Sequence, residues 1–176
     1  MKRIHTSEIK NAAKTLVAGE EILLSGTVYT ARDAAHKRFM QLIKEGKPLP
    51  FELSGAVIYY AGPTEPKHGY PVGSCGPTTS GRMDPYTPTL LDMGLGATVG
   101  KGDRSPEVEE AIVKNGSVYL CAIGGAGALA CSRIRSSQVI AFDDLGCESV
   151  KKMEFDDFPL FVAIDCHGGN IFKRGR

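Results

Sequence analysis

The chain has 176 residues, 42% hydrophobic and 23% charged, with a net charge of +1; this is a globular composition, neither disordered nor fibrous. Lys and Arg (21) nearly balance Asp and Glu (20), and no run of five or six like charges occurs, so bulk charge indicates no nucleic-acid face. No apolar stretch is long enough to cross a bilayer, MKRIHTSEIK is too polar for a signal peptide, and five cysteines without a secretory signal read as reduced thiols of a cytoplasmic protein.

The length fits one domain over residues 1–176, with no linker or internal repeat to divide it. Glu21 to Tyr29 reads as a strand, and Ala31 to Lys44 as a helix with Ala34, Ala35, Phe39, Leu42 and Ile43 on one stripe. Gly46 and Pro48 end that helix, and Gly55 to Tyr60 is a second strand. Gly62 to Pro88 is rich in Gly and Pro, a loop long enough to suggest function. Leu90 to Met93 reads as a helical turn or two and Ala97 to Val99 as a short strand. Ser105-Pro106-Glu107 has the cap, the proline and the acid of a helix start, and Asn115-Gly116 is its stop. Val118 to Ile123 is a strand, Ala126 to Ile134 a helix and Val139 to Phe142 a strand. Lys151 to Phe155 and Leu160 to Asp165 read as two closing strands joined tightly at Asp156-Asp157. The alternation predicts an α/β fold, and a tight last connection requires a mixed sheet, because a parallel pair needs a crossover.

Several motifs compete for the chemistry. Gly125-x-Gly127-x-x-Ala130 between two strands, followed by Asp143 and Asp144, approaches a dinucleotide fingerprint, but a strand-to-helix turn that merely needs glycine looks the same. Gly94 to Gly102 fails as a P-loop, since Leu95 stands where the first glycine belongs and Gly102 follows Lys101 where Ser or Thr is required. Cys75, Cys121, Cys131, Cys147 and Cys166 contain no Cys-x-x-Cys pair, so a self-contained zinc or iron–sulfur site lacks support. Cys121 fits a core position, whereas Cys75 lies in the Gly/Pro loop and is the thiol to watch. His36 stands one helical turn after Arg32, and His167 lies in a turn; neither has a companion ligand at useful spacing.

Gly76-Pro-Thr-Thr-Ser-Gly-Arg-Met-Asp84 is the strongest local signal. Its small hydroxyl residues and glycines let backbone N–H groups approach an anion, and Arg82 supplies a planar fork for carboxylate or phosphate. A polar surface loop is the plain alternative. Arg32 after the first strand and Lys101 between two glycines add cations at turn positions, so three cations could meet on one dianion.

These residues also carry a resemblance. Leu24 to His36, Gly76 to Asp84, Gly100-Lys-Gly-Asp-Arg-Ser105 and Met153-Glu-Phe-Asp-Asp-Phe-Pro159 pace nearly the whole chain. In that order they resemble the β subunit, or C-terminal domain, of the iron–sulfur hydro-lyases, the class I fumarases and L-tartrate dehydratases. The resemblance implies a swivelling β/β/α domain and a partner α subunit, in an α2β2 or other hetero-oligomer. It implies a [4Fe–4S] cluster held by that partner, with one open iron acting as a Lewis acid. It implies Arg32, Arg82 and Lys101 as substrate-binding cations and Thr78 as the group that moves the proton on carbon. The expected reaction is reversible hydration of a four-carbon dicarboxylate, fumarate and malate first, tartrate second. A nucleotide-binding domain on Gly125 to Asp144 and a subunit serving only assembly stay open beside it.

Overall fold

A computed structural model describes residues 1–122 and 127–173. Seven strands form one mixed sheet: β1 (Lys2–His5), β2 (Glu21–Thr30), β3 (Val57–Tyr59), β4 (Ala97–Gly100), β5 (Val118–Ala122), β6 (Ile134–Ala141) and β7 (Val150–Ile164). β2, β3, β4 and β5 are successive parallel neighbours. β7 runs antiparallel to both β5 and β2, so it joins the two ends and closes a five-strand barrel. β1 extends the first half of β2 in parallel, and β6 lies antiparallel on the first third of β7.

Side-chain alternation divides the core in two. One apolar cluster draws on all five ring strands, with Val28, Tyr59, Val99, Leu120 and Leu160 among its members, and fills the barrel. The neighbouring positions Ile58, Tyr60, Tyr119 and Cys121 belong to a second cluster. That cluster lies beneath the helices α2 (Asp33–Lys44), α3 (Thr87–Asp92) and α4 (Pro106–Asn115). β3, β4 and β5 are therefore buried on both faces, as parallel strands between two apolar layers must be. Each fully buried side chain such as Phe39 contributes about 1.5–3 kcal/mol.

Local signals hold well. Ser105 caps α4 by accepting from the Val108 N–H at 3.3 Å, Pro106 opens the helix, and Gly116 ends it at φ 62°. α2 carries Asp33 in its first turn and Lys44 in its last, matching the helix dipole.

Two expectations need correction, and one segment that the sequence reading left without an element is structured. The closing segment is one strand of 15 residues, not two. Asp157 takes up a left-handed conformation at φ 49°, donates its N–H to Ser25 Oγ at 2.9 Å, and pairs with Arg3 at 3.3 Å. The kink is thus a bulge opposite the register shift between Leu24 and Gly26, and the chain continues along β2 instead of reversing. The mixed sheet survives this correction, because β7 is antiparallel to both its ring neighbours. β6 begins five residues earlier than the predicted Val139, paired along β7 from Ile134. The polar N-terminal segment forms β1 and α1 (Ile9–Ala13), whose buried Ile4, Ile9 and Ala13 join the barrel cluster.

Candidate active site

The parallel strands set the site. Arg32 stands two residues after β2, and Tyr60 to Gly62 and Lys101 directly follow β3 and β4, so these residues gather at the carboxyl ends of three adjacent parallel strands. The ends of parallel strands are where α/β folds, closed barrels included, carry their ligand-binding loops. The loop bearing Thr78 and Arg82 is stitched onto the same end. The Thr78 N–H donates to Tyr60 O at 2.7 Å. Thr79 bridges Lys101 in parallel, and the Ser80 N–H donates to Lys101 O at 2.9 Å. Arg82, in the tight 3-10 turn Ser80–Met83, reaches Asp33 Oδ1 with its Nε at 3.2 Å, and Asp33 adjoins Arg32 at the head of α2. The four residues singled out from the sequence therefore share one end of the barrel.

Their settings differ. The Arg32 side chain is 23% exposed, packed over Gly62, where a Cβ would stand 3.1–3.2 Å from its Cδ and Nη1. Its Nε lies 3.8 Å from Glu148 Oε1. The Arg82 side chain is 54% exposed and Lys101 is exposed. Among the described residues the Lys101 ammonium has no ion pair, and the half-buried Thr78 hydroxyl has no hydrogen bond. The site is thus a wall of cations beside a hydroxyl that has no partner among the described residues, with Arg82 and Lys101 exposed to solvent.

A third arginine, which sequence reasoning passed over, holds the wall in place. Arg104 is 4% exposed. Its Nε donates to Asp84 Oδ1 at 2.6 Å, and its other nitrogens reach Thr98 Oγ1, the Tyr60 hydroxyl and Thr87 Oγ1. The guanidinium also lies over the Tyr60 and Tyr119 rings. Burial opposes its charge, but Tyr60 and Asp84 outweigh burial and hold its pKa above the ordinary arginine value. The same Asp84 accepts the Ser105 N–H at 2.7 Å, so the Thr78–Arg82 loop, β4 and α4 share one ionic joint. The signal for Arg104 was its place in Gly100 to Ser105. Asp33 adjoins Arg32 in another quoted segment. Glu148 has no local signal.

Gly100 has a steric reason. A Cβ there would overlap Ser80 Oγ, which accepts from the Tyr119 hydroxyl at 2.8 Å. The loop thus comes down onto bare backbone at the end of β4.

The thiol of Cys75 is not available for chemistry. It is 1% exposed, and burial pushes its pKa up to about 12. His36 is buried against Tyr60, Tyr86 and Phe39, with Nδ1 donating to Arg32 O at 2.8 Å. Among the described residues no group of three or more His, Cys, Asp and Glu could hold a metal ion, so these residues do not fit an iron–sulfur cluster.

The dinucleotide reading loses its frame. Gly125 and Ala126 lie outside the described residues. β5 and β6 are not neighbours; both lie antiparallel on β7, with α5 (Gly127–Ser132) between them, so the parallel strand pair of that motif is missing. Asp144 is bound to Arg38 at 2.8 Å.

An α/β barrel domain with a cationic site at its parallel strand ends is the class defined so far. The chain belongs to the family described as Fumarase C-terminus, which it matches over residues 1–175. It is 43% identical over 153 residues to the anaerobic class I fumarate hydratase of Escherichia coli, covering 86% of this chain and 28% of that protein. It is 41% identical over 158 residues to fumarate hydratase 2 of Leishmania major, covering 89% of this chain and again 28% of the relative. It is 33% identical over 182 residues to the L(+)-tartrate dehydratase subunit beta of Escherichia coli, covering all of this chain and 89% of that subunit. The chain thus spans little more than a quarter of the fumarate hydratases and nearly the whole of a dehydratase β subunit. No helix among the described residues is long and apolar enough to cross a membrane.

Proposed function

We propose that this chain forms one wall of the active site of a two-component hydro-lyase that reversibly adds water to a four-carbon dicarboxylate, fumarate to malate. The observation that carries the reading is the meeting of Arg32, Arg82, Lys101 and Thr78 at one end of the barrel. A dianion needs opposed cations, and two guanidinium forks with an ammonium match two carboxylates. The openness of that wall suits a site completed by a second chain, an α partner such as the dehydratase relative's subunit name implies. An iron–sulfur cluster held by that partner would supply the Lewis acidity for the departing hydroxide.

This chain's own part is binding and proton movement. Arg32 and Arg82 hold the carboxylates. In dehydration Thr78, as its alkoxide, takes the proton from the carbon next to a carboxylate; in hydration its hydroxyl returns a proton to that carbon. The neighbouring cations stabilise the alkoxide and so bring a weak base into range. The likeness to the tartrate dehydratase β subunit across this whole chain favours tartrate as the second substrate to try.

Thr78→Ala in the complex with the cluster-bearing partner tests the reading. It should lower kcat strongly and leave KM within a few-fold, because the cations that bind the ground state remain. Thr78→Ser should recover much of the rate. Exchange of the substrate's C3 proton with solvent deuterium should fall in parallel with turnover in Thr78→Ala. Exchange at the unaltered rate would show that another group moves the proton.

A further inference from the structure

Arg32 and Arg82 are placed alike, each with its Nε facing a carboxylate across an ion pair. Arg32 Nε faces Glu148 Oε1 at 3.8 Å, and Arg82 Nε faces Asp33 Oδ1 at 3.2 Å. A guanidinium carries one N–H on Nε and four on Nη1 and Nη2. A carboxylate that bonds Nε fixes the plane of the fork and leaves terminal N–H groups for a ligand, and in this structure both carboxylates stand at Nε without yet closing that bond. The two contacts are also joined, since Asp33 directly follows Arg32 and heads α2.

A second observation marks the same place. Arg32 Nε, Glu148 Oε1 and Asp33 Oδ2 are each buried without a hydrogen-bond partner among the described residues. Buried polar atoms are ordinarily paired, and leaving them unpaired is costly. Arg32 Nε and Glu148 Oε1 stand within an ångström of hydrogen-bond length, so a small movement of either side chain would close the bond.

We propose that Glu148 and Asp33 are positioning residues that aim Arg32 and Arg82, each by its Nε, at the two carboxylates of the substrate. The inference rests on the reading that these arginines bind the dicarboxylate. Neither acid touches substrate. The Glu148 charge also keeps the largely buried Arg32 guanidinium from standing uncompensated when the site is empty.

Double-mutant cycles in the reconstituted two-component enzyme test it. Glu148→Gln keeps the side chain's shape and removes its charge, and Glu148→Ala removes the contact. In the wild-type background each should lower kcat/KM, by about ten- to a hundredfold for Ala, the scale of a misplacement near an ångström. In the Arg32→Ala background either change should cost less than about twofold, because there is no guanidinium left to aim. Asp33→Asn against Arg82→Ala should behave likewise. Glu148→Asp, which keeps the charge, should retain more activity than Glu148→Ala.

Equal losses in both backgrounds would overturn the inference, since they would show a structural role independent of the arginine. So would unaltered kcat/KM in Glu148→Gln and Glu148→Ala. Near-wild-type kcat/KM in Arg32→Ala itself would remove the dicarboxylate reading, and the inference with it. Glu148→Gln decides the case if Glu148→Ala fails to fold.

Discussion

Lys101 and Arg104 stand in one short loop and do different work. Arg104 is buried, shared among Asp84, Thr98, Tyr60 and Thr87, and braces the loop, whereas Lys101 points out with no ion pair among the described residues. Burial decides between the roles, because a buried charge must spend its hydrogen bonds on the protein. His36 shows the same rule in a titratable group. Burial, reinforced by the Arg104 charge, lowers its pKa from 6.5 to about 4, and its Nδ1–H is spent on Arg32 O. The unfolded chain therefore takes up this proton before the folded one does. Stability due to His36 is complete above pH 6.5 and is lost as the pH falls through about 4, a loss of about 3 kcal/mol. Urea unfolding of the wild type and His36→Phe between pH 4 and 7.5 should show it as a narrowing gap at low pH. Parallel stability curves would mean that His36 does not titrate with folding.

At the scale of elements, the site depends on where loops land. α4 is positioned by its own sequence, with Ser105, Pro106 and Gly116 as start and stop. The Thr78–Arg82 loop instead takes its place from β4, through the Thr79–Lys101 bridge and the absence of a side chain at Gly100. Gly100→Ala should push Ser80 off β4, break the Tyr119–Ser80 bond at 2.8 Å, and cost about 1–3 kcal/mol, as overpacking does. The loop carries Thr78 and Arg82, so kcat/KM should fall more than the loss of stability explains. Thermal unfolding and steady-state rates on one preparation check both. Wild-type kinetics in Gly100→Ala would show that the loop's seat on β4 does not set the catalytic geometry.

The whole molecule is a closed ring with a one-sided site. Closure by β7 ties the last strand to β2 and β5, so the strand ends are held rigidly while the cationic wall opens outward. On the proposed function the chain works only with a partner. Incubated anaerobically with iron and sulfide, the isolated chain should stay without a cluster and should not hydrate fumarate. Adding the cluster-bearing partner should produce activity. A stoichiometric iron–sulfur chromophore on the isolated chain would contradict this division of labour.

The sequence by itself determined the elements whose signals are local: β2, α2, α4 with its caps, and the buried strands β3 to β5. It also determined the segments Gly76 to Asp84 and Gly100 to Ser105, because turns, glycines and a fork-bearing arginine announce themselves within a few residues. Tertiary structure decided the rest. Asp156-Asp157 reads as a hairpin until β2 is present, when pairing across Ser25 and Arg3 makes it a bulge in one long strand. β1 reads as polar until its alternate Ile4 finds the barrel interior. Cys75, the thiol to watch in the Gly/Pro loop, lies in a loop that folds it into the core. Glu148 comes to Arg32 from far along the chain, after β6, through the ring closure that β7 imposes. Contacts between distant residues depend on which strands pair and in what register, and side-chain spacing within one segment carries no record of that.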